Sequence, residues 1–168
     1  ENYHSLQAQT GTTSKSGVGI YVHNSLNFIP RPDLNFKYYE KDSEEFQGLW
    51  VEVVQEKSPN VIIGTIYLHP SQEIANFNKA LDTTFKHLSK EKGKLIAITG
   101  DFNLDLLKYG QDKKVTIFLN QMFENHFNPC ITEPTRIIDI NEPSLIDIIF
   151  INFPCHIFSG NFTRKDFL

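Results

Sequence analysis

The tightest constraint on the fold is a switch of hydrophobic period along the middle of the chain. "VIIGTIYLHP" (61–70) is a β-branched run closed by a proline. After it, Ile74, Phe77, Leu81, Phe85 and Leu88 recur at steps of three and four, which is one stripe of a helix. Ser71 stands where an N-cap is expected. Lys86, Lys90 and Lys92 gather at the other end, where the helix dipole favours cations, and Gly93 is placed to stop the helix. "LIAIT" (95–99) is then a continuous apolar run, as in a strand buried on both faces. A second stripe, Val115, Phe118, Leu119, Met122 and Phe123, predicts a helix over 113–126. "PCIT" and "SLIDIIFIN" supply two further strands. Strand–helix–strand–helix–strand order predicts a layered α/β domain.

The N-terminal third reads as strands. "VGIYVH" (18–23) alternates, "NFIPRPD" can be extended only at a sheet edge because of Pro30 and Pro32, and "FQGLWVEVV" (46–54) puts Leu49, Val51 and Val53 on one face. "EKSPN" is the turn of a hairpin joining that strand to 61–70, so the sheet is mixed. The 168 residues fit one domain, 1–168. A net charge of −4 excludes binding of nucleic acid by bulk positive charge, though not an enzyme that grips one phosphate through a metal. Cys130 and Cys155 have no zinc spacing and are read as thiols of a reducing, intracellular setting. The opening segment shows no signal-peptide pattern, and no apolar run approaches the roughly 20 residues of a membrane helix.

Chemistry concentrates where apolar strands end. Gly100, Asp101 and Asn103 follow "LIAIT", and ligand sites in α/β sheets form beyond the carboxyl ends of strands. A carboxylate and a carboxamide there can hold Mg²⁺ or orient a water against a phosphate; they can also be a plain turn. Asp147 is a lone acid among Leu145, Ile146, Ile148 and Ile149. Buried, it needs a partner, and orienting an imidazole is one use; on a half-exposed strand it simply faces water. Tyr67 ends its strand beside His69, where a phenol can donate to a phosphate oxygen or stay wet. Thr135, Arg136 and Ser144 precede the Asp147 strand and suit phosphate contacts or a capped turn.

Taken in order, "GVGIYVHNSL", "GTIYLHP", "TGDFNLDLL", "TEPTRI" and "SLIDIIFIN" resemble the endonuclease/exonuclease/phosphatase superfamily, above all the endonuclease domain of non-LTR retrotransposons. The resemblance covers nearly the whole chain. It implies an α/β fold, a four-layer sandwich of two mixed β-sheets flanked by helices, here incomplete. It also implies Mg²⁺-dependent nicking of DNA, with a nuclear location. In that reading Tyr67 contacts the scissile phosphate, Asp101 orients or deprotonates the attacking water, Asn103 stabilises the phosphate and Asp147 holds a general-acid-like histidine. Thr135, Arg136 and Ser144 lie along the DNA.

The family pattern also includes an asparagine and a metal-binding glutamate on early strands and a closing serine–aspartate–histidine block. Here the chain begins after the first two, and "SGNFTRKDFL" stands where the last is expected, with Asp166 as its one acid and His156 upstream. The principal metal ligand is thus unassigned. The expectation is a partial domain, weak or inactive as it stands. A non-catalytic nucleic-acid-binding remnant and a phosphatase of the same superfamily remain as alternatives. No membrane or protein partner is readable.

Overall fold

The computed structural model describes residues 2–9, 17–35, 37–40, 43–70, 73–137 and 142–154. Strands β1 (Tyr3–Gln9) and β2 (Gly17–His23) form an antiparallel ribbon. Strands β3 (Phe28–Pro30), β4 (Lys37–Glu40), β5 (Ser43–Val53) and β6 (Val61–Leu68) follow, then helix α1 (Ile74–Leu88) and β7 (Leu95–Asp101). A 3₁₀ turn (Leu106–Lys108) leads into α2 (Lys113–Glu124), β8 (Asn128–Pro129), β9 (Arg136–Ile137), β10 (Pro143–Ser144) and β11 (Asp147–Ile151). The main sheet has seven strands in the order β3-β5-β6-β7-β11-β8, with β4 also paired to β5. Among the described residues only β6 and β7 are parallel, as a helical crossover requires; the other pairs are antiparallel. The chain is an α/β sandwich: helices on one face of a mixed sheet, the β1–β2 ribbon against β5 and β6 on the other.

Alternation along β6 decides which face is which. Ile62, Ile66 and Leu68 are buried in the helix-side core with Ile96, Ile98, Phe77, Leu81, Phe118 and Met122. At 25 cal/mol per Å², each such side chain contributes roughly 1.5–3 kcal/mol, which is what fastens two short helices to the sheet. Four fully buried rings, Phe77, Phe102, Phe118 and Phe150, meet edge-on or tilted at centroid distances of 5.3–6.4 Å. Trp50 lies flush on Gly64, its register partner, where an added Cβ would fall 2.4 Å from the indole.

Several local expectations change. The helix ends at Leu88, capped by Ser89, and unwinds through bonds from Lys90 N to His87 O and Glu91 N to Leu88 O. Gly93, at φ +76°, therefore makes the turn into β7 and does not stop the helix. Ser71 lies outside the described residues; the N-cap is Glu73, without a side-chain cap bond. In β7 only Ile96 and Ile98 are buried; the ribbon covers mainly β5 and β6, leaving the opposite face half-buried. Phe123 is exposed because α2 turns only Val115, Phe118, Leu119 and Met122 to the sheet. "PCIT" is not a strand: pairing stops at Asn128–Pro129, and Cys130 adds one bond, its N–H donating to Ile149 O. Cys155, His156 and Asp166 lie outside the described residues.

Candidate phosphoester site

Register brings the sequence candidates together. Tyr67 on β6 pairs with Asp101 on β7, and Asp101 pairs with Asp147 on β11. Paired residues share a face of a sheet, and alternation turns all three away from the helices. Three groups separated by 34 and 46 residues therefore stand side by side in one row across adjacent strands (101 − 67 and 147 − 101).

Asn103 closes the row from above. Its φ is +47°, a left-handed conformation that Asn tolerates. The turn is held because Asn103 N donates to Asp101 Oδ1 at 2.9 Å, and Asn103 Nδ2 donates to the Leu68 carbonyl at 2.8 Å. The carboxamide thus links the ends of β6 and β7 and keeps Oδ1 as an acceptor. Between acid and amide, Phe102 drives its ring into the aromatic core, so the two polar groups ride on an apolar anchor. Gly100 makes the close approach possible: at φ +149°, a Cβ there would lie 1.8 Å from Ile66 O. The turn reading of the tetrapeptide describes its backbone. It is a turn, and the turn aims an acid and an amide at one place.

Electrostatics mark Asp101 as unusual. Burial raises its carboxyl above the usual range; the Asn103 N–H opposes this, the Asp147 charge adds to it, and Arg136 pulls it back down. Asp147 itself is exposed, so the solvent-facing alternative describes its strand correctly. Thr135, Arg136 and Ser144 also arrive at this end: Ser144 pairs with Arg136 across β9 and β10. The Thr135 hydroxyl accepts from Ile146 N at 3.3 Å and Asp147 N at 3.1 Å. A cleft of about 470 Å³ opens beside the row between Lys108, Arg136, Glu142 and Ser144.

One participant was not singled out in the sequence. Asp105 Oδ1 accepts from Leu107 N at 3.2 Å and from Leu145 N at 3.0 Å. An Asp just before the short apolar turn "LLK" is a capping signal that could have drawn notice. His69 is exposed, its ring edge-on to Tyr67 at 6.3 Å. A salt-bridge network of Arg31, Asp33, Glu52, Glu91 and Lys94 occupies the opposite end of the sheet, outside this site.

An α/β sandwich with carboxylates and an amide at the strand ends defines the endonuclease/exonuclease/phosphatase superfamily as the class of this chain. Within it, the chain belongs to the endonuclease–reverse transcriptase family, whose model matches residues 61–166. No curated protein matches the sequence. The endonuclease domain of TRAS1, a telomere-specific non-LTR retrotransposon, superposes with a TM-score of 0.67 at 15% identity over 89% of this chain and 67% of that one. A mannosyl-6-phosphatase of Bacteroides thetaiotaomicron gives 0.62 at 12% identity over 89% of this chain and 62% of that one. D. rerio TDP2, complexed with single-strand DNA product, gives 0.59 at 12% identity with the same two coverages, 89% and 62%. At such identities the likeness is one of fold. This chain spans about two thirds of the length of those structures or less.

Proposed function

We propose that this chain is a weak, Mg²⁺-dependent DNA endonuclease domain of retrotransposon origin, working on chromosomal DNA in the nucleus. The observation that carries the reading is the Tyr67–Asp101–Asp147 row with Asn103 bonded into it. Tyr67 donates to a non-bridging oxygen of the scissile phosphate. Asp101, its carboxylate made a better proton acceptor by burial and by Asp147, orients or deprotonates the attacking water. Asn103 uses its amide toward charge developing on phosphorus. Asp147 would orient an imidazole, as the family resemblance implies. Arg136 and Ser144 lie along the DNA backbone, and Thr135 donates its remaining hydroxyl proton there.

The superfamily generally uses a divalent metal. Mg²⁺ is commonly held by one or two carboxylates plus substrate phosphate oxygens. Asp101, Asp147 and the Asn103 amide oxygen are hard donors of the right kind. Among the described residues, however, no group of three or more His, Cys, Asp or Glu could hold a metal. Two carboxylates and an amide would hold Mg²⁺ with the phosphate as co-ligand, where the ion would screen charge on phosphorus; the lack of a third acidic ligand among the described residues is the reason to expect weak activity.

Conversion of supercoiled plasmid to open circles in Mg²⁺, with EDTA and Asp101→Ala as controls, tests the reading. Slow nicking that needs both the metal and Asp101 is expected. Nicking untouched by Asp101→Ala would refute it. Salt-sensitive DNA binding with no cleavage would instead mark a binding remnant. Faster release of phosphate from small phosphoesters than cleavage of DNA would mark a phosphatase.

A further inference from the structure

We infer that Asp105 is a positioning residue: its carboxylate ties the loop after β7 to the start of β11 and so sets where Asp147 stands relative to Asp101. The inference rests on the proposed function only for the kinetic half of its test. Asp101 and Asp147 are the last register partners of two antiparallel strands, so the ladder holds them from the core side only. Beyond the ladder, the two segments are sewn together by a short series of bonds. Phe102 N donates to Ile146 O at 3.0 Å and Leu106 N to Leu145 O at 3.0 Å. Asp105 adds a side chain that holds both segments, with a single oxygen accepting Leu107 N on its own side and Leu145 N across the gap.

The environment makes this tie demanding. Leu145 is 3% exposed, so its N–H has no recourse to water if Asp105 is removed. The Asp105 side chain is 13% exposed, and its second oxygen lies 3.6 Å from Lys108 Nζ. One residue further on, Ile146 N and then Asp147 N donate to the Thr135 hydroxyl. Asp105 and Thr135 therefore grip consecutive amides, and Asp147 is the last of them. Loosening the first grip frees a segment that ends on the carboxylate of the row.

The experiment compares the whole chain as wild type, Asp105→Ala, Asp105→Asn and Asp105→Glu. Amide hydrogen exchange and Mg²⁺-dependent plasmid nicking are measured for each. Losing a hydrogen bond of this kind should speed exchange locally by roughly 10-fold. In Asp105→Ala that acceleration is expected at Leu107, Leu145 and Asp147 and not at Leu81 or Phe85 in α1. The kcat for nicking should fall about 10-fold or more with KM little changed, as for lost alignment. Asp105→Asn keeps the accepting oxygen and should restore both. Should the alanine variant not fold, Asp105→Glu, which displaces the oxygen by one methylene, should show the same pattern in milder form. Acceleration confined to Leu107 and Leu145 with kcat unchanged overturns the inference, as does unaltered exchange. Acceleration reaching Asp147 while no protein, wild type included, cuts DNA upholds the tie and removes the phosphodiesterase reading instead.

Discussion

Replacing Gly100 by alanine strikes the point on which the site is built. The added Cβ would lie 1.8 Å from the Ile66 carbonyl oxygen, 2.8 Å from its carbon and 3.0 Å from its nitrogen. All three are backbone atoms of β6, so no side chain can swing aside. Ordinary C···O contact begins near 3.3 Å, so β6 and β7 would have to part by roughly 1.5 Å at this level. Forced overpacking of that sort costs about 1–3 kcal/mol. Holding a residue with a Cβ at φ +149° costs on the order of 1–3 kcal/mol more. The sum, about 2–6 kcal/mol, is a large part of the roughly 5–15 kcal/mol that stabilises a typical domain. Urea unfolding followed by the fluorescence of Trp50, the single tryptophan, measures it directly. The midpoint should drop with the slope unchanged. Because Tyr67 and Asp101 pair at the very next position, the folded fraction should also lose DNA nicking. A stability loss under about 0.5 kcal/mol would mean that the strands yield freely there, and the claim that this glycine sets the spacing of the row would be wrong.

Three other outcomes follow from the same geometry. Phe102→Leu leaves a void among four packed rings and should cost roughly 1–3 kcal/mol by calorimetry, with nicking falling further than the unfolded fraction explains because the Asp101–Asn103 turn loses its anchor. Asp101 has a raised folded-state pKa, so its favourable contribution is present below the unfolded value near 3.9 and is lost as pH rises through the folded one; at pH 7 it costs stability. Asp101→Asn should thus melt slightly higher, while abolishing nicking. Asp33 and Glu91 are held below the usual carboxylate range chiefly by Arg31. In Glu52 burial pushes upward but bonds from Lys94, Asn60 and Arg31 outweigh it. Their contribution is therefore full above the unfolded values near 4 and lost as pH falls below them, so melting temperature should drop on acidification, and less steeply in Glu52→Gln.

The elements with a large apolar face were legible. The stripes of α1 and α2 and the hairpin of β5 and β6 lie where the hydrophobic period placed them, because burial against one core is what that period encodes. The edge position of Phe28–Pro30 followed from its prolines. What escaped was held by backbone bonding with little burial. "YHSLQAQ" carries one apolar residue of size besides its tyrosine, yet pairs with β2 over its whole length. The two-residue strands β8, β9 and β10 have no period to read. In the site, residue identities at 67, 101, 103 and 147 could be read, but their alignment could not: it depends on strand order and register, which single-strand patterns leave open. The double use of Asp105 was hidden for the same reason, since its second partner lies 40 residues away.

The central claim is that Tyr67 and Asp147, on the strands either side of Asp101, act on one phosphate as a unit. The most direct measurement is the nicking rate of Tyr67→Phe, Asp147→Ala and the double variant, side by side at fixed Mg²⁺. If they serve one centre, the double variant should lose little more than the worse single one, as groups acting together are strongly non-additive. Losses that simply multiply would show two independent surface residues and would contradict the account.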